Sequence, residues 1–216
     1  MILNCVNPVL RYAYIHVPKT AGFFLNHNLI EHYGFVKLID KNRAPFYYPG
    51  CLRSYKKMLS VDDATWESFD KFCFVRNPYT RLVSAFNYCM SVQKKKHVIF
   101  EKFWKEKKCT IFEFEIIYMR QHQHIEDDEG NIPMHFIGRF ETLETDFQCI
   151  LRDMGFEDDA HDMKKKINTT DHSKPLQFYI TNNDLLAEIN AFFHRDFELF
   201  GYDMVWDIRD LPKYDR

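Results

Sequence analysis

Glycine is scarce in this chain, with seven in 216 residues, and none precedes the Lys19-Thr20 pair. A Walker A loop needs glycines at fixed places ahead of its lysine, so that phosphate-binding pattern is excluded. The six cysteines, Cys5, Cys51, Cys73, Cys89, Cys109 and Cys149, form no C-x-x-C pair, which argues against a zinc ribbon. Cys73 and Cys149 sit in apolar runs and read as small core residues. The scatter demands no disulfides and suits a reducing compartment. The formal net charge is -2, too small to set up the field that draws nucleic acid to a whole domain. No stretch approaches the roughly 18 apolar residues of a membrane span. The opening Met1-Ile2-Leu3-Asn4-Cys5 lacks the charged and apolar regions of a signal peptide. These absences predict a soluble, cytoplasmic protein with no nucleic-acid partner and no membrane span.

What the chain has is a large apolar and aromatic fraction, and a length that suits one domain over 1–216. Arg11 to Val17 and Lys71 to Val75 are apolar, β-prone runs. Phe35 to Ile39 and His135 to Ile137 are shorter candidates. Helical spacing predicts helices over about Phe23 to His32, from Pro78 into the low nineties, over Glu141 to Met154 and over Asn183 to Phe200. Residues 94–108 mix lysines with Phe and Trp, and Lys94, Lys95, Lys96, Lys102, Lys105, Lys107 and Lys108 read as a solvated helix face, with attraction of an anionic glycan as the alternative. Asp127 to Asn131 is a turn. Strands alternating with helices predict an α/β fold, a three-layer sandwich with a central parallel sheet flanked by helices. Ligands in such folds bind at the carboxyl ends of the strands.

Two strand-to-helix junctions carry chemistry suited to phosphate. In the first, His16-Val17-Pro18-Lys19-Thr20-Ala21-Gly22 leads into a helix. Small residues let an anion approach the helix N-terminus, Lys19 adds charge and Thr20 a hydroxyl donor. His16 reads as a buried structural residue beside the loop. In the second, Arg76 closes a strand, and Ser84 follows about two turns into the next helix. An arginine can bind phosphate bidentately and a serine can donate to the same group. Arg81 reads as a surface residue or salt-bridge former. Two such subsites on neighbouring strand ends suit one nucleotide with phosphate at both its 5′ and 3′ positions.

Together these segments resemble the sulfotransferases that use 3′-phosphoadenosine 5′-phosphosulfate (PAPS), especially the carbohydrate sulfotransferases. The resemblance rests on His16 to Gly22 and Phe74 to Ser84, with support from Phe136 to Leu143 and Asp196 to Tyr202. It implies the P-loop-like sandwich of that family. It also implies that Lys19, Thr20, Ala21 and Gly22 hold the 5′-phosphosulfate, that Arg76 and Ser84 hold the 3′-phosphate, and that the acceptor is a hydroxyl of a saccharide. The family usually has Thr or Ser after the loop glycine, where this chain has Phe23 and Phe24. Lys19 is expected to stabilise the leaving phosphate. A sulfuryl group carries less charge than a phosphoryl group, so no metal is expected. His124 and His122 are candidates for the base that takes the acceptor proton, with Asp40 in reserve. The stretch holding Asn168, Ser173, Lys174 and Tyr179 resembles a loop near the cofactor. A nucleotide phosphotransferase, or a module that binds nucleotide without chemistry, is the alternative reading.

Overall fold

The computed structural model describes residues 5–38, 52, 59, 61–92, 98–106, 119–156 and 174–213. The chain divides into two compact units. The first comprises Met1–Val75 and Gln121–Asn168, and the second Arg76–Arg120 and Thr169–Arg216.

The first unit is built on a five-stranded sheet of β1 (Cys5–Asn7), β2 (Tyr12–Ile15), β3 (Val36–Lys37), β4 (Asp70–Val75) and β5 (Phe136–Arg139), in the order β3-β1-β2-β4-β5. Strands β2, β4 and β5 are parallel, as expected, and β1 runs antiparallel to both β2 and β3. The sheet is therefore mixed rather than parallel throughout. The reason is local. Asn7 Oδ1 accepts hydrogen bonds from the N–H groups of Val9 and Leu10, and Arg11 takes a positive φ of 57°. A turn this tight returns the chain as a hairpin, whereas a parallel pair needs a long crossover.

One face of the sheet presents Tyr14, Phe72 and Phe74 to α1 (Gly22–His32) and α6 (Leu143–Asp153), which add Leu25, Leu29, Phe147 and Ile150. Each of these is fully buried, and each such side chain contributes about 1.5–3 kcal/mol relative to exposure. Ala13, Ile15, Cys73 and Val75, on the alternate face, are equally buried. The sheet is thus covered on both sides, as the sandwich reading requires. Helix α1 ends where Gly34 takes a φ of 70° and the Phe35 N–H donates to the Leu29 carbonyl. A short α2 (Asp63–Glu67) precedes β4, capped by Asp62, which accepts from the Thr65 N–H at 2.7 Å. A second short helix, α5 (Gln121–Ile125), precedes β5.

The second unit is helical: α3 (Pro78–Val92), α4 (Phe100–Glu106) and α7 (Asn183–Phe200). Its core gathers Phe86, Phe100, Phe103, Trp104, Tyr179, Phe193 and Phe197. Helix α7 begins at Asn182, which accepts from the Leu185 N–H at 2.8 Å, and stops at Gly201, with φ 62°. Tyr79 O–H donates to Asn190 Oδ1 at 2.6 Å and accepts from the Val205 N–H at 3.0 Å, tying α3 to the segment after α7.

Candidate functional site

Strand β2 ends at Ile15, and β4, its parallel neighbour, runs on to Val75. The carboxyl ends of the two strands that carry the expected loops are therefore adjacent in the sheet.

Beyond β2 the chain forms a strained loop. Lys19 and Ala21 take φ values of 72° and 64°, the left-handed region, although neither is glycine. Each such residue costs of order 1 kcal/mol and persists only where its surroundings impose it. Two contacts impose it here. Thr20 is fully buried and its hydroxyl donates to the Val17 carbonyl at 2.7 Å. Gly22 lies against the His16 ring, so closely that a Cβ there would stand 2.8 Å from Cε1 and closer still to Nε2 and Cδ2. His16 is itself buried beside Tyr14. The residue expected to be structural is the wedge that requires glycine at 22.

Left-handed residues in a loop can turn successive backbone N–H groups into an anion-binding concavity, and Lys19 and Ala21 flank Thr20 in that conformation. Helix α1 starts directly behind them. Its cap residue, Ala21, makes no side-chain cap, and the first turn holds no acidic residue. A helix N-terminus with neither feature can attract an anion. Lys19 is half-buried. The Thr20 hydroxyl braces the loop through Val17, so what Thr20 offers an anion in this arrangement is its N–H.

At the second junction Asn77 caps α3, accepting from the Tyr79 N–H at 3.0 Å, with Pro78 at the first helical position. Arg76 is buried, and its Nε donates to Thr80 Oγ1 at 3.0 Å. Ser84 is also buried. Thr80 and Ser84 are four residues apart on α3, so they share one helix face. Arg76, Thr80 and Ser84 form one polar row. Thr80 escaped the sequence reading, although its spacing from Arg76 and Ser84 marks it.

Arg81 is not a surface residue: it is 1 % exposed, and Nη1 donates to the Met119 carbonyl at 3.0 Å. Burial, opposed by attraction to Asp196 and reinforced by repulsion from Arg76, brings its guanidinium down to about 10. Asp196 is fully buried and belongs to the closing motif, so that motif supplies a counter-charge to this guanidinium.

Among the base candidates, His122 and His124 both lie on α5 and both are buried, His124 completely. Residues two apart on a helix point about 200° from one another, so the two rings leave on opposite sides. Lys19 to Gly22 and the two histidines belong to the first unit, and Arg76 and Ser84 to the second. Lys174 lies over the Phe178 ring at 5.4 Å, and the Tyr179 hydroxyl accepts from Asn87 Nδ2. Asp40, Asn168 and Ser173 fall outside the described residues, as do Lys94, Lys95, Lys96, Lys107 and Lys108. Lys102 and Lys105 pair with Glu106 and Glu101 on an exposed helix face.

Cys73 is in the core, but Cys149 is exposed. Phe147, Ile150 and Leu151 define the buried face of α6, and position 149 falls outside it. Among the described cysteines, Cys5, Cys73, Cys89 and Cys149 are free thiols, and burial pushes those of Cys5 and Cys73 well up. Among the described residues no cluster of three or more His, Cys, Asp or Glu could hold a metal, and no helix is long and apolar enough to cross a membrane.

The mixed, mostly parallel sheet flanked by helices, with a strained loop after β2, defines an α/β protein. The particular family follows from the chain as a whole: it belongs to the sulfotransferase family, whose model matches residues 5–203. Sulfuryl transfer to a hydroxyl acceptor is the chemistry of that family. No curated protein and no solved structure matches the chain significantly.

Proposed function

We propose that this protein transfers a sulfuryl group from PAPS to a hydroxyl of a carbohydrate acceptor, and that residues 1–216 act as a single sulfotransferase domain. The observation that carries the reading is the loop Lys19 to Gly22, with its left-handed residues at 19 and 21 and an uncapped helix behind it, in a chain of this family. PAPS supplies an activated sulfuryl group whose departure leaves charge on a phosphate oxygen. Backbone N–H groups from Thr20 to Gly22 hold the 5′-phosphosulfate, and the Lys19 ammonium stabilises the charge left behind. The donors are fixed before any anion arrives, so little reorganisation accompanies transfer.

Arg76 and Ser84 hold the 3′-phosphate. The buried polar row of Arg76, Thr80 and Ser84, with Arg76 Nε held on Thr80 Oγ1, supports this assignment. One of the α5 histidines, His124 or His122, takes the acceptor proton, and their opposite directions allow only one to do so. Replacing each with Asn identifies it: one variant loses transfer and keeps nucleotide affinity, and the other retains both.

The direct test is transfer of labelled sulfate from PAPS to desulfated chondroitin or heparosan in the presence of a chelator. Labelled saccharide, formed at the same rate with and without the chelator, is expected. Transfer of phosphate from ATP in its place would establish the phosphotransferase reading. Nucleotide binding with no label on any acceptor would establish a module without chemistry.

A further inference from the structure

Phe23 and Phe24 follow the loop glycine, and the structure gives them opposite fates. Phe24 is buried and meets Phe147 edge-on at 6.1 Å. Phe23, one residue away, is 50 % exposed. Half of a phenyl ring is therefore left in water at the first turn of α1, where a polar residue would carry no such cost. In a helix the Cα–Cβ bond tilts toward the N-terminus, and long side chains lie over the preceding turn. For Phe23 the preceding turn is the loop Lys19 to Gly22. Phe23 therefore stands at the end of α1 next to the loop proposed to hold the reacting group.

Sulfuryl transfer brings the acceptor oxygen to about 3–3.5 Å from the group it attacks, in line with the leaving oxygen. Any acceptor must come within a side chain's reach of the loop. An aromatic face beside that approach suits a ring with one apolar face and hydroxyls at its edge, which describes a pyranose. We infer that Phe23 is a specificity-determining residue, on whose ring the acceptor sugar lies while its hydroxyl meets the sulfuryl group. The assignment rests on the function proposed above.

The test compares wild type with Phe23→Ala by calorimetry, first with 3′,5′-adenosine bisphosphate and then, at saturating nucleotide, with desulfated chondroitin and heparosan hexasaccharides. Nucleotide affinity should agree within about twofold. Saccharide affinity should fall about fivefold to tenfold, the scale of one lost ring contact, with a matching rise in the saccharide KM. Phe23→Tyr, which keeps the ring face, should restore both. Unchanged saccharide affinity in Phe23→Ala overturns the inference. So does a wild type that binds the nucleotide but neither saccharide, and so does a loss confined to the nucleotide, which would place the ring against the donor's adenine. Failure of the wild type to bind the nucleotide at all is a different result, since it removes the underlying function as well.

Discussion

Replacing Gly22 with alanine should destabilise the protein, although alanine is the better helix former. A Cβ at position 22 would stand 2.8 Å from Cε1 of His16, with Nε2 and Cδ2 nearer. The imidazole cannot swing away freely, because it is buried and packed beside Tyr14 at 6.1 Å between centroids. Overpacking of this kind costs about 1–3 kcal/mol. The gain in helix propensity from Gly to Ala returns at most about 1 kcal/mol. The net expectation is a loss of up to about 2 kcal/mol, read as a lower urea midpoint at unchanged slope. The same substitution in a His16→Ala background meets no ring and should be neutral or stabilising by up to about 1 kcal/mol. The coupling between the positions is then about 1–3 kcal/mol, large enough to measure in a double-mutant cycle. Equal losses from Gly22→Ala in both backgrounds would refute the argument that His16 dictates the glycine.

Further outcomes follow from the charged and phenolic groups. Asp196→Asn removes the carboxylate that attracts the buried Arg81 guanidinium, against which burial and Arg76 both act, and should cost about 3 kcal/mol in chemical denaturation; an unchanged midpoint would deny the pairing. Tyr12 is pushed up to about 12 by burial, by its hydrogen bond to Asp153 at 3.0 Å and by the charges of Asp153 and Asp70. Its folded value lies above its ordinary value of 10, so its contribution is full below pH 10 and lost as pH rises to about 12. Tyr12→Phe should lose less stability than wild type between pH 9 and 11.5, and parallel losses would contradict this.

Helix α7 was legible to the residue, because Asn182 and Gly201 are local signals that need no tertiary context. Helix α3 was equally plain from Asn77-Pro78. Strand β1 escaped, since three residues carry no period, although Asn7-Pro8 marked the turn that pairs it. The candidate anion loop was legible in composition but not in conformation, because its left-handed positions fall on Lys19 and Ala21, where residue type gives no hint. Of the two readings of Arg81, the surface one failed for a related reason: the charge-pairing one needs a partner, and Asp196 lies far along the chain. Cys149 was misplaced by its apolar neighbours in sequence, which helical phase separates from it. The differing fates of Phe23 and Phe24 depend on where α6 packs, which only the fold supplies.

The proposal most open to test is that Lys19 and Arg76 each bind a phosphate of the nucleotide. Titration calorimetry of 3′,5′-adenosine bisphosphate into wild type, Lys19→Ala and Arg76→Ala tests it most directly. Binding by wild type should weaken by at least about 1.5 kcal/mol in Arg76→Ala, the scale of a hydrogen bond to a charged group, and should also weaken in Lys19→Ala. Undiminished affinity in both variants would contradict the account.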